Sequence, residues 1–189
     1  HIGHVGTGPN SLTGQANAMG SRIFSNTTTL LGGHDFAKPE HRAKIARILG
    51  IPEELIPSDA GRPYDQFLAG IDEGVIKALW IVCTNPAHSW IDKRQFLDRC
   101  AKLDFLVVQD LYTTTQTAGI ADLLLPAAGS PEKEGTFINS ERRLGLVQKV
   151  MDPPGEALSD FEIIKKLSDE WDLGERFAAW TDVDAAFEF

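Results

Sequence analysis

The sequence predicts a three-layer α/β domain built on a mainly parallel sheet. Three observations carry that expectation. Ala78-Leu79-Trp80-Ile81-Val82-Cys83 and Phe105-Leu106-Val107-Val108 are continuous apolar runs, as strands buried on both faces should be. A helical pattern over 91–101 separates them. A third apolar run, Ala121–Leu125, follows after a short turn. Strand, helix, strand, turn and strand in that order imply parallel pairing with right-handed crossovers.

Taken in order, residues 1–35 are rich in Gly, Ser, Thr and Asn and weakly periodic. Gly6 and Gly8 begin a pattern like a dinucleotide fingerprint, but Ser11 stands where the third glycine belongs and no strand precedes it. From its residues alone this is a structural loop. Pro39–Gly50 reads as a helix with Ile45, Ile48 and Leu49 on one face, ended by Gly50 and Pro52. Tyr64, Phe67, Leu68 and Ile71 fall at helical spacing and Gly74 closes that helix. In the 91–101 helix Ile91, Phe96, Leu97 and Cys100 are apolar, with imperfect spacing. A helical turn over 112–118 leads to the third strand. Ser159 to Glu162 forms a capping box that opens the next helix, with Phe161, Ile164, Leu167 and Trp171 toward the core and Gly174 at its end. The expected organisation is a glycine-rich segment, 1–35, followed by one domain, 36–189.

The bulk numbers exclude several classes. The 189 residues suffice for one substantial core, and no apolar run approaches the roughly 20 residues of a membrane span. The formal charge of −9 argues against a nucleic-acid surface, which needs a basic excess. It leaves room for a small phosphorylated ligand held by a few local donors. Asn26-Thr27-Thr28 matches a glycosylation sequon and, without a secretory signal, reads as chance. Only two cysteines occur, fewer than the four thiolates an iron–sulfur cluster usually takes. Cys83 and Cys100 read as core residues, and low cysteine use fits a reducing, cytoplasmic compartment. His4, His34, His41 and His88 have no metal-ligand spacing. A start at His1 without Met and an acidic end at 182–189 read as a piece of a longer chain.

In an open parallel sheet, ligands bind beyond the carboxyl ends of the strands. Polar residues stand there in all three cases: Asn85, then Gln109 and Asp110, then the loop carrying Lys133. Asn85 can donate and accept, Asp110 can accept two parallel N–H donors from a guanine edge or take a ribose diol, and Lys133 can neutralise phosphate. Each has a plainer reading. Asn85 before Pro86 is a common turn residue. Asp110 reads equally as a helix cap, in competition with Thr113–Thr115. Lys133 lies in a Glu-Lys-Glu run that would be solvated in any case.

The string from Ala121 to Arg143, ADLLLPAAGSPEKEGTFINSERR, resembles the segment of the large molybdenum oxidoreductases related to dimethyl sulfoxide reductase in which ADxxLP precedes EKxGTxxNxERR. GPNSLTGQANAMG and WIVCTNP resemble two further stretches of those enzymes, most of all of the assimilatory nitrate reductases. The resemblance covers nearly the whole chain and is specific in three separated blocks, 8–20, 80–86 and 109–143. The resemblance implies the Rossmann-like, doubly wound third domain of such an enzyme. It further implies that Asn85, Gln109, Asp110, Lys133 and Asp160 bind one of two molybdopterin guanine dinucleotides, with the 1–35 segment running past the cofactor. Asp160 keeps its plainer reading as an acid favoured in the first helical turn. Asn139, Glu141, Arg142 and Arg143 also match the string, as direct contacts or as a network bracing the cofactor loop.

On this resemblance the parent enzyme reduces nitrate to nitrite in nitrate assimilation. It carries a molybdenum bis(molybdopterin guanine dinucleotide) cofactor and, outside this chain, an iron–sulfur cluster. Its partners are the other domains of the same polypeptide and an electron-donor protein or subunit. No residue here reads as a metal ligand or a catalytic group, so the 189 residues alone are expected to be inactive and to bind neither molybdenum nor an iron–sulfur cluster. Two alternatives stay open: a formate dehydrogenase-like molybdoenzyme domain, and a non-catalytic nucleotide-binding or interaction domain.

Overall fold

Three strands pair in chain order in a computed structural model that describes residues 15–23, 33–63, 66–139 and 141–188. They are β1 (Ala78–Val82), β2 (Phe105–Asp110) and β3 (Leu123–Pro126). Both pairings are parallel, with Ala78 opposite Phe105 and Val107 opposite Leu123, so all three carboxyl ends lie at one edge. The expected runs are therefore strands, displaced by a residue or two at their ends. A parallel bridge between Ala127 and Leu158 continues the sheet beyond β3.

The residues divide into two units, 1–61 with 136–146 and 62–135 with 147–189. In the first, helix α1 (Ala18–Ile23) follows Asn17, whose side-chain oxygen accepts from the Ile138 amide at 3.0 Å. Helix α2 (Pro39–Leu49) begins with proline at its first turn and ends at left-handed Gly50, φ 63°. The face expected of Ile45, Ile48 and Leu49 is only partly right. Ile45 is buried with Ala46 and Ile56, and Phe36 and Ile51 pack against them, while Ile48 and Leu49 are exposed. Strands β4 (Gly135–Ile138) and β5 (Leu144–Val147) pair as a hairpin that extends to the unit boundary.

In the second unit, α3 (Phe67–Asp72), the one-turn helix α4 (Pro86–Ser89) and α5 (Lys93–Cys100) pack with the sheet. Leu79, Ile81, Leu106, Val108 and Leu124 form one sheet face and meet Leu68, Ile71 and Phe96. Phe96 and Val108 are fully buried. Asp92 caps α5 by accepting from the Gln95 amide at 3.0 Å. Asp72, at the end of α3, accepts from Arg99 and Lys102 at 2.8 and 2.6 Å and ties α3 to α5. The hydrogen bond from Lys102, above all, holds its carboxyl below the usual range.

The opposite sheet face departs from the expectation of burial on both sides. Trp80, Phe105, Val107, Leu123 and Leu125 line an open apolar cleft of about 470 Å³, flanked by Leu167 and Trp171. Phe105 and Leu123 are each 43% exposed, whereas the indole nitrogen of Trp80 is buried without a hydrogen-bond partner.

Helix α6 (Asp160–Glu170) opens with the expected capping box: the Glu162 amide donates to Ser159 Oγ at 3.2 Å and Glu162 Oε2 accepts from the Ser159 amide at 2.8 Å. Its buried face is different. Ile163 and Ser168 are buried, while Ile164 and Trp171 are 51% and 64% exposed. A final helix, α7 (Val183–Glu188), follows. The expected helical turn over 112–118 is a 3-10 turn at Ala118–Ile120, and the expected 64–71 helix is described from Phe67. Expectations resting on residues 1–14, Asn26 to Thr28, Tyr64, Ser140 and Phe189 lie outside the described residues.

Candidate functional site

The carboxyl end of β2 is the centre of the site. Gln109 pairs with Val82 of β1 and Leu125 of β3, so neighbouring strands flank it and its side chain is 2% exposed. Its amide nitrogen donates to Asp160 Oδ1 at 2.6 Å. Its amide oxygen is buried and has no partner. A buried acceptor left unmatched costs about 1–3 kcal/mol.

Asp160 reaches Gln109 because the sheet continues past β3. The Leu158 amide donates to the Pro126 carbonyl at 3.1 Å and the Ala128 amide to the Leu158 carbonyl at 2.8 Å, which sets α6 beside the strand end. As the first residue of α6, Asp160 also lies where the helix dipole favours a carboxylate. Its second oxygen receives Lys133 Nζ, an ion pair with Lys133 only 26% exposed. Lys133 is therefore not the solvated member of a charge run. It follows a 3-10 turn, Ser130–Glu132, held by the Gly129 amide donating to Glu132 Oε2 at 2.7 Å.

Asp110 ends β2 and is 9% exposed. Its Oδ1 accepts from the Leu111 amide at 2.7 Å and its Oδ2 from the Thr115 hydroxyl at 3.0 Å. Thr115 Oγ1 in turn accepts from the Ala118 amide at 3.2 Å, so the local cap is Thr115 and Asp110 braces it.

Asn85 follows β1 at the start of α4. Its side-chain oxygen accepts from the Thr117 amide and hydroxyl at 3.1 and 2.8 Å, and its amide nitrogen donates to Gln116 Oε1 at 2.7 Å. Thr117, fully buried, accepts from the Ala87 amide at 3.0 Å. Asn85 thus clips the loop after β1 to the loop before β3. The arrangement couples Gln109, Lys133 and Asp160 directly and places Asp110 next in chain to Gln109. It engages Asn85 with Thr117 and Gln116 instead.

Two residues of the site escaped the sequence reading. Thr115 was in view as a rival cap, and Thr117 was legible only as a neighbour of the threonine run. Cys83, expected in the core, is exposed and stands in the left-handed region at φ 51°. Its amide donates to the Gln109 carbonyl at 2.8 Å, extending the ladder one residue past β1. Desolvation first, then the carboxylate of Asp160, pushes its thiol up, against the opposing charge of Lys133. Its position just past a strand, next to Thr84 and Asn85, was the available signal.

The remaining matched positions lie in the first unit. Asn139 Oδ1 accepts from the Glu141 and Arg143 amides, both at 3.0 Å, and closes the β4–β5 turn. Arg143 meets Glu141 at 3.5 Å with both side chains largely exposed, and Arg142 has φ 60°. Among the described residues no group of three His, Cys, Asp or Glu side chains is assembled to hold a metal ion. No helix among them is long and apolar enough to cross a membrane.

A buried amide acceptor, a lysine and two carboxylates thus stand together at one strand edge, able to offer acceptors and one cation to a polar ligand. The chain is 40% identical to a nitrate reductase of Synechocystis sp. over 167 residues, 88% of this chain and 23% of that protein. It is 34% identical to the assimilatory nitrate reductase catalytic subunit of Bacillus subtilis over 187 residues, 98% of this chain and 26% of that one. An F420-dependent formate dehydrogenase subunit alpha of Methanocaldococcus jannaschii is 35% identical over 184 residues, 94% of this chain and 25% of its own length. The chain therefore spans about a quarter of the length of these curated relatives. Acetylene hydratase from Pelobacter acetylenicus shares the fold, with a TM-score of 0.55 and 24% identity over 63% of this chain and 17% of that one. The family model described as molybdopterin oxidoreductase matches residues 2–170, almost the whole sequence, and the chain belongs to that family.

Proposed function

We propose that this chain is the dinucleotide-holding domain of a molybdenum-dependent nitrate reductase. Membership of the family implies a molybdenum–pterin cofactor. In this reading residues 36–189 hold one molybdopterin guanine dinucleotide by its guanosine and pyrophosphate end, and residues 1–35 pass beside it. The single observation that carries the reading is the buried, partnerless oxygen of Gln109 at the carboxyl edge of the sheet. An N–H or hydroxyl of a nucleotide would satisfy it.

The residues present fit such a group. Gln109 accepts from the ligand through the oxygen that lacks a partner. Asp110 accepts N–H or hydroxyl donors in charge-assisted bonds, each worth about 1.5–3 kcal/mol. Lys133 offsets phosphate charge, and Asp160 orients both Lys133 and Gln109. Asn85 contributes at most the remaining N–H of its amide and otherwise fixes the loop. When bound, the cofactor supplies the redox chemistry that converts nitrate to nitrite, and this chain binds and orients it. The parent enzyme works in the cytoplasm. There it joins these residues to further domains, an iron–sulfur centre and an electron donor.

A formate dehydrogenase-like parent is the second reading, favoured by the 35% identity to the methanogen protein. Asp110→Asn tests the site in the full-length enzyme. Molybdenum and guanine-nucleotide content should fall by about tenfold, the loss of one charged bond, while the melting temperature changes little. Full cofactor content in that variant overturns the assignment, and steady-state assays with nitrate and with formate separate the two parents.

A further inference from the structure

Cys83 has no part in the reading above, yet it stands at the same strand edge. Its backbone is fixed by the ladder bond to Gln109, its side chain is exposed, and the charges of Asp160, Lys133 and Asp110 all act on its sulfur. At φ 51° Cys83 stands in the left-handed region, which non-glycine side chains rarely adopt. That conformation turns the chain sharply, one residue after β1 and two before the Asn85 clip.

The second observation is independent of the cysteine. Gln109, 2% exposed, spends its amide nitrogen on Asp160 and leaves its oxygen without a partner. That oxygen demands a donor which none of the described residues supplies, at the end of the sheet where Cys83 emerges. A ligand supplying the donor would lie over the strand ends and beside the sulfur. A neutral thiol suits that position, because it is small, polarisable and only weakly hydrogen-bonding, and so packs against a flat base or ribose without imposing charge.

We propose that Cys83 is a wall of the nucleotide site, in contact with the bound guanosine diphosphate moiety and shielded by it from alkylation. The proposal rests on the reading of the site given above. Its chemistry makes it measurable, since N-ethylmaleimide adds to the sulfur as its thiolate. One carbon–sulfur bond forms as the maleimide π bond breaks, the adjacent carbon takes a proton from water in place of the one the thiol gave up, and nothing leaves. Cys100 is an internal control. It is buried, and burial pushes its thiol up to about 11, so one adduct is expected from two cysteines.

The experiment uses the 189-residue protein with GDP as the probe. Calorimetry measures GDP binding, and intact-mass spectrometry follows alkylation at mildly alkaline pH. The expected result is a single adduct at Cys83, absent from Cys83→Ser, forming about tenfold more slowly when GDP is at roughly ten times its dissociation constant. The alkylated protein should keep its melting temperature and lose GDP binding. Labelling that GDP does not slow, although calorimetry shows GDP bound, overturns the wall and leaves the nucleotide site standing. Unchanged GDP affinity in the alkylated protein overturns it equally. Absence of GDP binding to the unlabelled protein overturns the nucleotide site, and the wall with it.

Discussion

Asp110 illustrates how a side chain can be committed twice. Its two oxygens already hold the Leu111 amide and the Thr115 hydroxyl, so any ligand contact must use the lone pairs that remain. Asn at this position keeps one acceptor and Ala keeps none. Asp110→Ala should therefore cost about 1–3 kcal/mol, the net worth of two hydrogen bonds, and Asp110→Asn distinctly less. Urea denaturation of the two variants checks the order. Cys83→Gly should go the other way and raise stability by up to about 1 kcal/mol, because glycine adopts φ 51° without strain. A lower urea midpoint for that variant would contradict the strain argument.

Helix α6 was legible at its start and misread along its face. The Ser159–Glu162 box is a local signal, complete within four residues, and it forms as the sequence implies. Which face is buried depends on the sheet the helix meets, and a spacing that admits Phe161 and Ile164 admits Ile163 as well. The same limit explains Ile48 and Leu49, exposed although periodic. Ser159→Ala should destabilise by about 1 kcal/mol at neutral pH. Hydrogen bonds from the Ser159 hydroxyl and amide hold Glu162 below its ordinary 4.5. A depressed carboxyl contributes stability above its ordinary value and loses it as the pH falls through the folded one. The cost of Ser159→Ala should thus shrink as the pH drops below 4.5, which denaturation at a series of acidic pH values would reveal.

At the scale of the molecule, the strands and their direction were legible because apolar runs and a crossover helix are properties of short stretches. The convergence of Asn85, Gln109, Asp110 and Lys133 on one edge followed from that topology. What could not be read was who bonds whom: the Lys133–Asp160 pair spans 27 residues and the Gln109–Asp160 bond 51. Nor could the half-open sheet face be read, since runs such as Phe105–Val108 look alike whether one face or both are covered. With Phe105 and Leu123 exposed there, the chain should self-associate at high concentration, and Leu123→Lys should reduce that association in sedimentation experiments. The pairing of Lys133 with Asp160 has a consequence of another kind. A phosphate that reaches Lys133 meets a cation that already has a counter-charge, so entry is an exchange of partners rather than an addition. Added salt weakens the bond that is broken along with the bond that is made. The affinity of the site for a nucleotide should therefore respond to ionic strength more gently than a bare lysine in the same place would.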